Sequence, residues 1–372
     1  MKIVVAGNYG AGNLGDELIL EGIMKTLREV KPSAEITILS ADPAKAKDKF
    51  EVRSLYKFPA GIRSFFKYLF NGNLRKTKQA VKECDFFILG GGGLFDTTSF
   101  KAILIWGIQS MAANFYKRPV IMYGQNISKL KSIVARKIVK HLFKKAAFIA
   151  VRDENSKEIV KDMMKGKKVY LMPDLIFKIS PNHKHAKENK LLICLRENPN
   201  KKISKKAKGE FLNKIAEFTN KFLEKNKEFK VEFIPFEKRK DEQLNANLLE
   251  KIIAKDRVKI HPYTENKLDI ERIFSEAKIV LGMRLHSTLM AINTATPFIA
   301  INYNPKVKNI LSTLNLSEYL MEPGDITPEN LLTLCEDILK NSEKIEENLK
   351  KIGKDQVGKF LDIELGLKKL LD

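Results

Sequence analysis

The sequence predicts an α/β protein made of two Rossmann-like domains facing a cleft, and three observations carry that prediction. Short apolar runs alternate with helical patterns along most of the 372 residues. The alternation stops at a polar stretch near residue 185 and then starts again. Several of the apolar runs end in glycine-rich or charged loops that open into a helix, which is how open parallel sheets present their ligand loops.

In the first half, strands are expected at 2–6, 36–39, 86–89, 120–123, 148–151 and 169–171, and helices at 16–28, 103–116, 131–144 and 155–164. Strands spaced by helices indicate βαβ units and a parallel sheet. The stretch 180–189 is polar and without period, and reads as a linker; its His183 and His185 are isolated, which is not a metal-ligand pattern. The second series places strands at 191–195, 231–235, 258–260, 279–281 and 298–301, with helices at 208–225, 243–253, 269–275 and 287–292. The domains are therefore expected at 1–180 and 190–340, with a helical segment at 341–372.

Composition bounds the function. An apolar fraction of 44% suits globular cores. No run approaches the roughly 18 apolar residues of a membrane span. The opening residues Met1–Gly7 read as a strand rather than a signal peptide. Cys84, Cys194 and Cys335 are too widely spaced for a zinc site or a disulfide framework, so a reducing, cytoplasmic setting is expected. With 67 Lys and Arg against 45 Asp and Glu, the formal charge is +22. That attracts polyanions: nucleic acid, anionic lipid or phosphorylated substrates. No RNA- or DNA-binding module is recognisable, and no nucleic acid is expected.

The most informative stretch is 280–287. An apolar strand ends at Gly282, and Arg284 and His286 follow as a helix opens. Helix N-termini are anion sites. Arg284 supplies a planar fork for phosphate or carboxylate, and His286 can move a proton near neutral pH. The alternative is that the pair merely satisfies the helix start.

Other strand ends carry further candidates. Gly10, Gly12 and Gly15 formally match a dinucleotide fingerprint, but Asp16 and Glu17 would confront a pyrophosphate. Asp16 is read either as an acceptor-side or general-base residue or as a helix cap. The run Gly90–Gly93 disfavours helix and strand alike; its amides face a ligand, or the loop packs closely on the sheet. Arg152 is an anion clamp or a partner for Asp153, and Pro173-Asp174 reads as a turn. Arg196, Tyr303 and Lys306 also follow strands and could join Arg284 around a small anionic substrate.

These residues together resemble the polysaccharide pyruvyl transferases. The resemblance rests on Gly10-x-Gly12-Asn13-x-Gly15-Asp16-Glu17, the Gly90–Gly93 run, Arg152-Asp153-Glu154-x-Ser156, Gly282-Met283-Arg284-Leu285-His286 and Tyr303-Asn304-Pro305-Lys306-Val307. It extends from residue 3 to about residue 310. It implies a GT-B-like fold and transfer of pyruvate from phosphoenolpyruvate to two sugar hydroxyls, giving a cyclic ketal and phosphate. On that reading His286 is the general acid and Asp16 the base. Arg284 and Arg152, with Arg196 and Lys306, hold the donor, while Asn13, Gly91, Gly92 and Tyr303 shape the acceptor side or its loops. No cofactor or metal is needed. One departure concerns the loop Phe236–Asp241: Asp241 fits the family pattern, but the residues before it lack the usual histidine or glutamine.

Two other classes stay open on sequence grounds: a GT-B glycosyltransferase or sugar-nucleotide enzyme, and a basic scaffold for nucleic acid or membrane. The acceptor is expected to be a cell-surface glycan precursor, with lipid linkage and homo-oligomerisation left open. The aromatic and basic stretch 62–70, with Arg75, Lys76 and Lys78, and the basic helix at 129–145 point to peripheral contact with the inner membrane face.

Overall fold

The computed structural model describes all residues except 60, 62–67, 69, 71, 96–99, 129, 131, 165, 180–184 and 198–203. The chain divides into two units: Met1–Ile179 with Gln356–Asp372, and Ser180–Asp355. The segment expected as one helical appendage at 341–372 is thus shared between them.

The N-terminal unit is built on an all-parallel sheet. Its strands are β1 (Lys2–Ala6), β2 (Glu35–Ser40), β3 (Arg53–Tyr56), β4 (Phe86–Leu89), β5 (Gly92–Phe95), β6 (Val120–Ile127), β7 (Phe148–Val151) and β8 (Tyr170–Leu171). They run in the order β3-β2-β1-β4-β6-β7-β8, with β5 also paired to β6. Parallel strands covered on both faces read as continuous apolar runs, and all eight residues of β6 are buried. Val4, Leu89, Phe95, Met122, Phe143 and Ile149 belong to the core on which the helices pack.

The helix Phe360–Leu371 packs back onto this unit. Its Phe360, Ile363, Leu367 and Leu371 are buried. Lys178 Nζ binds Glu364 at 2.5 Å and Glu29 at 2.6 Å, closing the contact with an ion triad.

The second unit repeats the plan. Its strands are β9 (Glu188–Cys194), β10 (Lys230–Phe233), β11 (Val258–Ile260), β12 (Ala277–Gly282), β13 (Phe298–Ile301) and β14 (Leu320–Met321). All pair in parallel, in the order β11-β10-β9-β12-β13-β14. Counted from β9 this is 3-2-1-4-5-6, the doubly wound order. The order reverses between β9 and β12 here, and between β1 and β4 in the first unit. Ligands of such sheets bind beyond the strand C-termini at these reversals.

Candidate functional site

In the second unit, the segment after β12 enters the helix Leu285–Asn293 directly. Arg284 is the N-cap residue, with extended backbone. Its carbonyl accepts from the Ser287 hydroxyl at 2.7 Å and from the Ser287 N–H at 3.0 Å. His286 falls in the first turn of that helix. Gly282 is required by this turn: a Cβ there would lie 2.9 Å from Ser287 Oγ.

The Arg284 side chain is not an open fork. It is 7% exposed. Its Nη2 donates to Asp241 Oδ1 at 2.5 Å and to Glu237 Oε2 at 2.9 Å. Asp241 is fully buried, and its other oxygen accepts from the Phe236 and Glu237 N–H groups at 2.9 and 2.8 Å. Burial opposes the guanidinium charge, but Asp241 and then Glu237 outweigh it and hold the Arg284 pKa above its ordinary value. The Glu237 carboxyl is held below its usual range: burial pushes it up, and Lys240 and Arg284 more than reverse that. The loop that departs from the family pattern is thus the seat of Arg284.

Arg196, just after β9, lies over the Tyr303 ring, with Cζ 4.4 Å from the centroid. The two share a cavity of about 250 Å³ with Met283, Phe211, Leu244 and Lys208. Lys306 sits in the first turn of the helix Pro305–Thr313, which Asn304 caps through its side chain.

In the first unit, the loop after β1 turns on Gly10 and Gly12, at φ +69° and +74°. The cap of the helix Leu14–Val30 is Asn13, whose side chain accepts from the Gly15 N–H at 3.1 Å. Asp16 is therefore not the cap. Its Oδ2 instead accepts from Asn8 Nδ2 at 2.8 Å. Buried Glu17 accepts from the Gly10 N–H at 2.7 Å and pins the loop. Burial lowers the Lys57 pKa, and the nearby carboxylates of Asp16 and Glu17 only partly offset it.

The first two glycines of the run serve packing. A Cβ on Gly90 would come within 1.8 Å of Tyr9 Oη, and one on Gly91 within 2.7 Å of the Gly124 carbonyl. Gly92 opens β5 at φ +106° and faces Asp16: its Cβ position lies 3.5 Å from Asp16 Oδ1. The run was expected to disfavour a strand, yet Gly92 and Gly93 open β5, whose pairing with β6 outweighs glycine's cost. Gln125 secures the run by donating to the Leu89 and Gly90 carbonyls at 2.8 and 2.7 Å.

Arg152 is buried and pairs with Asp174 at 2.6 Å, not with Asp153. Asp153 caps the helix Glu154–Met163 and takes bonds from Ser156. Sequence reasoning read Asp174 as a turn residue and gave Glu237 no role. Both are edge carboxylates after strands, and that was their available signal. Among the described residues, no group of three His, Cys, Asp or Glu side chains could hold a metal ion.

The comparisons with known proteins fit this architecture. The model of the polysaccharide pyruvyl transferase family matches residues 13–305. The amylovoran biosynthesis protein AmsJ of Erwinia amylovora is 23% identical, over 94% of this chain and 94% of its own. Among solved structures, Anabaena HepE in complex with UDP-glucose aligns at TM-score 0.62 and 13% identity, covering 100% of this chain and 99% of its own. The UDP-GlcNAc 2-epimerase of Neisseria meningitidis bound to UDP-GlcNAc aligns at 0.63 and 10% identity, covering 98% and 99%. At these identities the structures show the fold alone: two Rossmann-like units of the GT-B-like kind.

Proposed function

The chain belongs to the polysaccharide pyruvyl transferase family, and from that premise we propose that it moves pyruvate from phosphoenolpyruvate onto two hydroxyls of a sugar in a polysaccharide precursor. The observation that carries the reading is the turn after β12, which puts Arg284 at a helix cap and His286 in the first helical turn. A helix N-terminus favours a phosphate. His286 delivers a proton to C3 of the enol while one sugar hydroxyl attacks C2. Asp16 is the candidate for the proton that hydroxyl gives up. The second hydroxyl then displaces phosphate from C2, its proton leaving with the phosphate, and closes the ketal. One phosphate leaves for each pyruvate transferred, and no redox step occurs.

Arg284, already balanced by Asp241 and Glu237, is best placed to fix the turn that carries His286. Arg196 is the more accessible cation for a donor anion, and Lys306 joins it as a candidate. The neighbours that bind UDP-sugars support a second reading, in which the sugar acceptor is carried on a nucleotide.

The test is phosphate release from phosphoenolpyruvate across a panel of free, lipid-linked and nucleotide-linked glycans. The reading expects release only with a suitable diol, matched by a pyruvyl ketal in the product. Release without an acceptor, or glycosyl transfer from a sugar nucleotide, overturns it.

A further inference from the structure

The helix Phe100–Phe115 leaves one of its faces uncovered. Phe100, Leu104, Ile108, Met111 and Phe115 are 45, 42, 37, 51 and 79% exposed. Their spacing of four, four, three and four residues puts them in one row along the helix. At 1.5 Å per residue the row runs for about 22 Å. The opposite face is used in the ordinary way: Ile103, Trp106, Gly107 and Ala113 are buried.

The helix Ile133–Lys145 packs beside it. A Cβ on Gly107 would sit 3.7 Å from Ile138 Cγ2 and 3.8 Å from Leu142 Cδ1. This second helix begins with exposed Ile133 and Val134, at 74 and 56%, and continues with exposed Arg136, Lys137, Lys140 and Lys144. Between Asp96 and Asp153 the sequence holds no acidic residue.

We propose that this pair of helices docks on an anionic phospholipid bilayer, with the row from Phe100 to Phe115 entering the interface and the cations of the second helix meeting the headgroups. Charge decides the occupant. Two copies meeting through this face would bring cationic flanks together, and like charges across an interface are costly. An anionic bilayer satisfies both features at once: apolar depth for the row and negative charge for its flank. The aromatic stretch at 62–70, expected from the sequence as the contact, lies largely outside the described residues. Of the basic stretch expected at 129–145, the helix from Ile133 onward belongs to this surface.

The test needs neither donor nor acceptor, so its outcome is independent of the proposed reaction. The whole chain is sedimented with vesicles of phosphatidylcholine alone, or of phosphatidylcholine and phosphatidylglycerol in equal parts. Binding is expected only to the anionic vesicles. The combined variant Leu104→Ser, Met111→Ser, Phe115→Ser should lower the partition coefficient about tenfold or more. The combined variant Arg136→Gln, Lys137→Gln, Lys140→Gln, Lys144→Gln should do the same. Separately, Met111→Trp should give an emission blue shift with anionic vesicles only. Equal binding to both vesicles, no binding, or undiminished binding by the serine variant overturns the proposal. So does a dimer that the serine variant dissociates while vesicle binding is absent.

Discussion

The two units share one plan and put different chemistry at the same place in it. Each is a parallel sheet whose strand order reverses after its first strand has found its neighbours. Beyond β1 and β4, the first unit sets glycines, Asn8, Asp16 and Glu17. Beyond β9 and β12, the second sets Arg196, Arg284 and His286. A scaffold repeated within one chain thus offers a carboxylate-bearing edge in one unit and, in the other, an edge where Arg284 is already balanced by Asp241 and Glu237 and Arg196 is the more accessible cation. The topology fixes where a ligand loop will be, and the side chains after each strand decide what it recognises.

That contrast can be broken most severely at its two reactive groups. His286→Ala should lower turnover by about 10²–10⁴-fold, the range of general acid–base catalysis, with unchanged thermal stability. Asp16→Asn should fall in the same range under the proposed role, and because Asn13 is the cap, the helix Leu14–Val30 should keep its stability. Steady-state kinetics alongside thermal melts check both; full activity in either variant removes that residue from the chemistry.

The next effect separates a seat from a site. Asp241→Ala strips the buried partner of Arg284 and two backbone N–H groups. It should cost the second unit about 3–5 kcal/mol, as breaking a buried ion pair does. Denaturant titration reads the loss; a cost below about 1 kcal/mol would mean that Arg284 does not depend on this seat.

In the first unit the matching test is steric. Gly90→Ala should destabilise by about 1–3 kcal/mol, because the new methyl meets Tyr9 Oη. Adding Tyr9→Phe should recover part of that. No recovery would place the strain elsewhere.

The smallest effect is a pH dependence. The folded Glu237 pKa lies below the ordinary value of 4.5. Its ionised form therefore contributes stability above that pH, which is lost as pH falls through the folded value. Thermal melts of the chain and of Glu237→Gln should differ at neutral pH by less than about 1 kcal/mol, as for a partly solvated pair. The difference should shrink toward pH 3. A gap that widens on acidification would contradict the assignment.

Much of this was legible in the sequence. The strands β4, β7 and β13 lie where the apolar runs end and begin, because a parallel strand buried on both faces must be apolar throughout. β3 was missed because Arg53–Tyr56 carries a charge and a serine in four residues. β5 was missed because its first two residues are glycine. The turn holding Arg284 and His286 was visible as a strand end. Its true partners were not, since Glu237 and Asp241 lie 47 and 43 residues upstream and no local pattern links them. Arg152 and Asp174 are hidden the same way, at a separation of 22.

The return of the helix Phe360–Leu371 to the first unit has a consequence in time rather than in space. Gly366 lies under Tyr170, where a Cβ would come 2.7 Å from the hydroxyl, and Lys178 waits for Glu364. During synthesis, the sheet of residues 1–179 therefore emerges from the ribosome with one flank bare. It stays so while the whole of the second unit is made. The order of completion inverts the order of translation: the unit begun first is closed after the other, and any stall between residues 180 and 355 leaves it open.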